Sequence, residues 1–520
     1  MNRKTLLTIG MGLALLAAAA TAVNVVLLPY ARACYGYGAA AQWLVCVLAA
    51  ALFLLVGARM EDAGMERLSR IERVARPAFL LALLAVHLLL GYLMEYTPMG
   101  DNHMLYDGAQ MLAAQGNFDG ADYGLYLARF SNQWGAVLML TGFFRLLGAL
   151  GVTHMFYPCV VLEALLYLLA VNALLRIARR LRGVRGELML LLMLALCLPL
   201  YLAASVLYTD TFSLPFVVFT LDFALRVPQA KTRRGQLGYA ALCGLLAFIG
   251  GQIKMTVAIV VIAAVIVWAL SMRPARAALC ALLAAGILAG GTRAVHVYME
   301  NEVLDPAVVA QNNTPTIHWI MMSIPTADNP YGGFSGDYGI TWGMQEAGAS
   351  REEVMASIYS RMKDRVYSLR YPSRLIPAML RKNAATQGDG TFGMTEMLDD
   401  GPVRENAVSA FVLEGRRFYG LYMGVCSGIW SAHLLLIALS LWLDMKQRDL
   451  RAAIPSVALL GMLMFLMLWE SRGRYMFSFV PVALLLSMGG AARARMLSQT
   501  LKEGRLCKAL MRAAGRRMAR

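Results

Sequence analysis

The chain has 520 residues, of which 59% are hydrophobic and 15% charged, and its mean hydropathy is +0.57. A water-soluble protein of this length needs far more charge to cover its surface, so the composition excludes a soluble fold. The net charge of +16 does not indicate nucleic-acid binding, because excess Lys and Arg in a membrane protein mostly mark cytoplasmic loops.

Apolar stretches long enough to cross a bilayer recur from one end of the chain to the other. A helix needs roughly 20 such residues to span the hydrocarbon core, and this pattern predicts an all-α polytopic membrane protein with about 12–13 transmembrane helices. The predicted spans are residues 5–28, 39–58, 77–96, 155–175, 187–206, 211–226, 237–250, 253–272, 277–298, 419–443, 453–469 and 475–491.

Basic clusters between these spans predict the topology. They lie at residues 59–76, 176–185, 226–234, 273–276 and 446–451 and after Arg493. Placing all of them in the cytoplasm puts the N-terminus there too, and predicts a multi-pass protein of the plasma membrane. Residues 134–150 break this parity, so we expect a juxtamembrane or partly inserted helix there, with a thirteenth span as the alternative.

Two substantial segments then lie on the outer face, residues 97–133 and 299–418. The second is too long for a simple connection and should fold partly on its own against the membrane. Within it, Ser350 and Glu353 form a predicted capping box, and the helix that follows should use its stripe of Val354, Ile358 and Met362 for packing. The predicted domains are 1–76 (two extra N-terminal helices and a basic loop), 77–298 (transmembrane core with the first outer loop 97–133), 299–418 (large extracytoplasmic loop), 419–492 (C-terminal transmembrane helices) and 493–520 (basic cytoplasmic tail).

Ionisable residues collect at the predicted outer turns. Charged groups beside apolar spans are costly, so their position is informative. Four turns that are far apart in sequence carry them to one membrane face, at Asp101, at Tyr208 and Asp210, at Lys254, and at Glu470, Arg472 and Arg474. Each also has a purely structural interpretation: a helix cap for Asp210, a snorkelling side chain for Lys254, a loop carboxylate for Asp101, and mutual pairing for the last three.

Several other kinds of site find no support in the sequence. The eight cysteines are scattered, without CxxC or metal-ligand spacing, so neither a disulfide framework nor a zinc site is indicated. The absence of a GxxxxGK[ST] motif argues against an ATP-driven pump. A divalent metal is left open, since His103 or His318 would need a carboxylate partner such as Asp101 or Asp337.

Glycosyl transfer from a polyprenyl-phosphate sugar fits a carboxylate and several cations at the outer membrane surface. The acceptor hydroxyl must lose a proton as it attacks the anomeric carbon, which requires a general base. The leaving group is a lipid phosphate, whose growing negative charge Lys or Arg can stabilise.

The layout also resembles the GT-C superfamily of membrane glycosyltransferases, which includes protein O-mannosyltransferases and aminoarabinose transferases. The resemblance covers roughly residues 77–490, and residues 469–475 (WESRGRY) are its most specific part; the other similar phrases are residues 208–211, 251–254, 318–322 and 388–392. In that superfamily an acidic residue of the first large outer loop is the catalytic base, and Asp101 matches its position after two extra spans. Many members have a paired acidic motif there, whereas Asn102 follows Asp101, so Asp107 is the alternative base.

The resemblance implies a role for each candidate residue. Lys254, Arg472 and Arg474 would hold the donor phosphate, with Asp210 and Glu470 orienting these cations or the sugar and Tyr208 in a supporting role. The 299–418 loop, with His318, Asp337 and Asp389, would cover the site and select a glycan, lipid or protein acceptor.

Two other classes of function remain. A transporter or flippase of lipid-linked glycans explains the spans and charges equally well but explains the long outer loop poorly, and no internal inverted repeat is visible. A non-catalytic scaffold for envelope assembly would tolerate substitution of the site residues.

Overall fold

The computed structural model describes residues 3–118, 122–396, 398 and 403–497. These residues form helices and no β-strand. The helices are α1 (Arg3–Leu27), α2 (Tyr30–Tyr35), α3 (Ala39–Asp62), α4 (Met65–Leu93), α5 (Gly100–Gln115), α6 (Asp122–Arg129), α7 (Trp134–Ala149), α8 (Phe156–Ala195), α9 (Leu198–Leu202), α10 (Thr209–Arg226), α11 (Arg233–Ile253), α12 (Ala258–Ser271), α13 (Pro274–Tyr298), α14 (Pro306–Asn312), α15 (Thr316–Met322), α16 (Asp337–Glu346), α17 (Arg351–Ser368), α18 (Pro372–Gln387), α19 (Ser409–Val412), α20 (Tyr419–Gln447), α21 (Ala453–Leu468) and α22 (Val480–Ala491).

The helices confirm an all-α, multi-pass membrane protein. In the described part of the chain, eight helical segments are long and apolar enough to cross a membrane, or nine if the pair Leu198–Ser205 and Thr209–Arg226, bent by 115°, is one span. The predicted number of 12–13 spans is higher, in part because α8 joins the predicted span 155–175 to the first part of the predicted span 187–206 across the non-helical backbone of Gly183 (φ 68°). The helices at Met255–Ser271 and Ala453–Leu468 fall short of the usual spanning length.

Small residues let the C-terminal helices approach one another closely. A Cβ on Gly490 of α22 would lie 2.4 Å from the carbonyl oxygen of Leu436 in α20, and one on Gly57 of α3 would collide with the carbonyl oxygen of Ala491. Close packing of this kind replaces the hydrophobic driving force that helices lack inside a bilayer. It fixes α3, α20 and α22 as one unit.

Ion pairs join several of the basic clusters to buried carboxylates. Asp222 in α10 accepts from Arg180 at 2.5 Å and from Arg226, and Asp444 in α20 pairs with Arg182 and Arg493. These carboxylates are almost fully buried and hold helices together. The predicted tail from residue 498 onward lies outside the described residues.

The segment between α13 and α20 packs on the membrane bundle through α18. Asn24 of α1 donates to the carbonyl oxygen of Leu380 at 2.8 Å, and Tyr37 donates to that of Gly388 at 2.9 Å. The capping box of Ser350 and Glu353 is present at the start of α17. The stripe on α17 packs against Met321 as expected.

The segment at residues 134–150 forms the 16-residue helix α7. It packs against α5, where Arg145 donates to the carbonyl oxygen of Leu112 at 3.1 Å. It also contacts α11 and α13, and whether it crosses the membrane stays a prediction. The domain boundaries and the side of the membrane on which each loop lies stay predictions.

Candidate functional site

The predicted outer turns meet around one cavity of about 1030 Å³. Its lining includes six of the eleven residues singled out in the sequence: Asp101, Tyr208, Lys254, Glu470, Arg472 and Arg474. Each stands at a helix end, where the chain changes direction and a polar side chain can leave the apolar bundle. The cavity also includes side chains from α6, α15 and α16.

Asp101 is fixed by two tyrosines. It lies in the first turn of α5, and the Tyr126 hydroxyl donates to its Oδ1 and the Tyr208 hydroxyl to its Oδ2, both at 3.0 Å. Arg474 Nη2 lies 4.0 Å from the same Oδ2. The side chain is still 40% exposed, and a carboxylate offers about four lone-pair sites, so Asp101 can accept a further hydrogen bond from a group in the cavity.

Behind Asp101, a buried carboxylate holds two cations. Asp210 is 1% exposed; its Oδ1 pairs with Lys254 Nζ, and its Oδ2 lies 3.7 Å from Arg474 Nε. Lys254 also lies 4.4 Å from the centre of the Tyr475 ring, and Arg474 lies 5.2 Å from that of Tyr208. Asp210 does not line the cavity itself; it positions the cations that do.

Glu470 and Arg472 form a second, looser charge pair in the turn after α21. Arg472 Nε lies 3.7 Å from Glu470, and Arg472 Nη1 lies 3.4 Å from Glu396. Burial raises the pKa of Glu470, which also accepts from the Tyr475 hydroxyl at 3.2 Å. The Arg472 side chain is 40% exposed and remains accessible to an anion.

Asp107 is not among the residues that line the cavity. Its carboxylate lies 2.6 Å from His103 Nδ1 on the same helix, and 37% of the side chain is exposed. Of the two candidate bases on α5, therefore, Asp101 lines the cavity and Asp107 does not.

His318 and Asp337 belong to a buried network outside the cavity lining. His318 Nδ1 lies 3.0 Å from Thr341 Oγ1, and burial, aided by Arg361, lowers its pKa to about 4. Burial alone would raise the pKa of Asp337, but hydrogen bonds from Arg365 and Ser335 outweigh it and hold the pKa below its usual value. Both residues hold α15, α16 and α17 together, so the structure does not support a direct substrate contact.

Asp389 likewise organises its own turn. Its carboxylate accepts from the backbone N–H of Thr391 at 2.8 Å and from that of Gly393 at 2.6 Å, although burial raises its pKa. The turn presses on α20, where a Cβ on Gly390 would lie 2.3 Å from the backbone of Cys426. The phrase at residues 388–392 is thus explained by close packing, one layer behind the 472–474 turn.

Several residues of the cavity were not foreseen. Tyr126 could not be distinguished from other loop tyrosines, because its role depends on α6 folding back onto α5. The aromatic residues Phe130, Trp319, Trp342 and Trp469 also line the cavity. Trp319 and Trp469 lie within phrases that the sequence already marked, but their ring contacts are tertiary. Among the described residues, no group of three or more His, Cys, Asp or Glu side chains could hold a metal ion.

The comparison with protein families identifies the chain at the level of its family. The family described as conserved hypothetical integral membrane protein matches residues 4–494. The chain belongs to this family. The match covers the whole bundle and the cavity, in agreement with the multi-pass architecture. No curated protein sequence matches the chain.

Two solved structures are similar to this chain at low identity. Both are of ArnT from Cupriavidus metallidurans, one bound to undecaprenyl phosphate and one in the apo state. They are 14% and 16% identical, with a TM-score of 0.34 in each case, and the similarity covers 80% of this chain and 77% of the other. Such values do not transfer a function from one chain to another, so the function must be argued from the cavity itself.

Proposed function

We propose that this protein is a membrane glycosyltransferase that moves a sugar from a polyprenyl-phosphate donor to an acceptor hydroxyl. The observation that carries the proposal is the position of Asp101, a half-exposed carboxylate that faces a cavity containing Lys254, Arg472 and Arg474. A base and a set of cations on one cavity are what transfer from a phosphate leaving group requires.

In this reaction the Asp101 carboxylate takes the proton of the acceptor hydroxyl. The hydroxyl oxygen forms a bond to the anomeric carbon while the bond from that carbon to the donor phosphate oxygen breaks. The bonding electron pair stays on the phosphate, and the proton on Asp101 passes to solvent. The hydroxyls of Tyr126 and Tyr208 hold the Asp101 carboxylate in one orientation, so that it stays aligned with the acceptor hydroxyl.

The three cations Lys254, Arg472 and Arg474 have different roles. Lys254 and Arg474 are held rigidly by the buried Asp210, so they offer positive charge without reorganising as the phosphate leaves. Arg472 is more exposed and paired only at 3.4 and 3.7 Å, so it can move onto an incoming phosphate. Because the apolar helices span the bilayer, the lipid part of the donor can stay in the hydrocarbon beside them.

We place the reaction on the extracytoplasmic face of the plasma membrane. The six basic clusters support this placement, because the turns of the cavity alternate with them along the chain. The donor phosphate would then sit at headgroup level, with its isoprenoid chain among the membrane lipids.

The test uses purified protein in sealed lipid vesicles with a panel of radiolabelled polyprenyl-phosphate sugars and a membrane extract as acceptor. We expect label to move to an acceptor with the wild type and with Asp107→Asn, but not with Asp101→Asn. The two variants are matched, since both remove one negative charge from α5. Donor that crosses the vesicle membrane without any transfer would instead identify a flippase.

A further inference from the structure

Five aromatic side chains form a continuous row along the wall of the cavity, which we call the aromatic ladder: Phe465, Trp469, Trp319, Phe130 and Trp342. The centres of successive rings lie 5.3, 6.5, 5.9 and 5.5 Å apart. All five residues line the cavity. They come from four regions far apart in sequence, so the row is a product of the tertiary fold.

The aromatic ladder reaches the candidate base. The Phe130 ring lies 4.6 Å from the ring of Tyr126, whose hydroxyl donates to Asp101. A molecule stacked on the middle of the ladder therefore lies one aromatic side chain away from the carboxylate that would deprotonate it. The ladder and Asp101 line the same cavity.

Polar groups accompany the rings. The indole N–H groups of Trp319 and Trp469 have no hydrogen-bond partner among the residues that the structure describes, whereas that of Trp342 donates to Thr314 at 3.2 Å. Thr316 and Asn132 line the same cavity. Neither indole nitrogen is among the buried side-chain atoms without a partner, so both N–H groups are accessible from the cavity, where hydroxyl groups of a ligand can accept from them.

We infer that the aromatic ladder is the acceptor subsite and that the acceptor is a carbohydrate, a choice that rests on the proposed glycosyl transfer. A pyranose ring has faces of C–H groups that pack on aromatic rings, and hydroxyls at its edge that accept from indole N–H groups. An acceptor hydroxyl on such a ring lies in the cavity that Asp101 also lines.

An isoprenoid chain fits the aromatic ladder less well. Trp319 and Trp342 lie on α15 and α16, helices of 7 and 10 residues in the segment between the membrane helices. Threonine and asparagine side chains interrupt the wall there, which a purely apolar chain would leave without hydrogen bonds. An aromatic belt at a membrane interface faces lipid, whereas these rings face a cavity.

The test measures binding rather than transfer, so that it stands apart from the reaction. Full-length protein in nanodiscs is titrated with maltotriose, chitotriose and mannotriose, and binding is followed by saturation-transfer NMR. We expect at least one trisaccharide to bind, and Trp319→Leu to weaken it about tenfold by removing a stacking face. Trp319→Phe, which keeps a ring, should weaken it less.

The matched control is Trp442→Leu, which removes an exposed indole of α20 that does not line the cavity and should leave binding unchanged. Equal binding to Trp319→Leu and Trp442→Leu, or no binding of any trisaccharide, would overturn the inference. Displacement of bound trisaccharide by geranyl phosphate in the Asp101→Asn background would reassign the ladder to the donor lipid. Trisaccharide binding that depends on Trp319 in a protein without transfer activity would refute the proposed function and leave the glycan subsite standing.

Discussion

Substituting Asp210 by Asn should destabilise the protein strongly, because it leaves two buried cations without their shared counter-ion. Asp210 is 1% exposed and contacts both Lys254 and Arg474. At an effective dielectric constant of about 20, the 3.7 Å separation from Arg474 corresponds to an attraction of about 4 kcal/mol. Removing one partner of a buried pair typically costs about 3–5 kcal/mol, and we expect a loss of this size.

The assay is a double-mutant cycle in detergent micelles. Unfolding of the wild type, Asp210→Asn, Lys254→Met and the double variant is followed by the denaturant midpoint. Lys254→Met should recover part of the stability lost in Asp210→Asn, by about 1–3 kcal/mol, because it removes one of the stranded cations. Asp107→Asn affects a partly exposed pair with His103 and a hydrogen bond from Gln110 on the same helix, and it should change stability by less than about 1 kcal/mol. An Asp210→Asn variant as stable as the wild type, or a double variant no better than the single, would refute the electrostatic account of the site.

Three further outcomes follow from other contacts. Lys382 Nζ donates to the carbonyl oxygens of Ser323 and Trp469, and burial lowers its pKa to about 7. From about pH 7 to 10 the unfolded chain therefore binds more protons than the folded one, so the stability of the wild type should rise with pH relative to that of Lys382→Met. Parallel curves of stability against pH for the two proteins would contradict the burial of Lys382. Tyr126→Phe should lower the rate of sugar transfer about tenfold, because it removes a hydrogen bond that holds Asp101 in place. The control is Tyr123→Phe, which removes only a hydroxyl contact with His103, and equal transfer rates in the two variants would show that Tyr126 does not support the site. Gly490→Ala should lower the thermal midpoint through its clash with Leu436, whereas Gly286→Ala, which meets no atom within 4 Å, should not; similar midpoints would show that α20 and α22 can separate at little cost.

The membrane architecture could be predicted from the sequence because a spanning helix is recognised from one continuous apolar stretch. The twelve predicted segments are largely helical, and the basic cluster at residues 176–185 marked the division of α8, where the backbone of Gly183 is non-helical. The 115° bend between Leu198–Ser205 and α10 needed the structure. The capping box of α17 was equally local and was confirmed.

The charged half of the cavity could be foreseen for a related reason. A carboxylate or cation at the end of an apolar span has a high energetic cost, so Asp101, Lys254 and Arg474 were conspicuous. The same argument did not distinguish residues that line the cavity from residues one layer behind it. Asp210 is as prominent in sequence as Asp101, yet it is 1% exposed and does not line the cavity.

The aromatic half and the supports of the site depend on tertiary contacts and could not be predicted. The aromatic ladder joins residues from α21, α15, α16 and the end of α6, which no periodicity relates. In sequence, nothing local distinguishes Lys382 from the other basic residues between 299 and 418. In the structure it is 1% exposed and ties α18 to the turn that carries Arg472 and Arg474. Burial of a single lysine is decided by the packing of remote segments.

The most direct test of the central claim is the single-turnover rate of sugar transfer by Asp101→Asn, measured together with its affinity for the polyprenyl-phosphate donor. If Asp101 is the general base, the rate should fall by about 10²–10⁴-fold while donor affinity changes less than about tenfold, since Lys254, Arg472 and Arg474 remain in place. An unchanged transfer rate, or a loss that resides entirely in donor affinity, would contradict the assignment of Asp101 as the base.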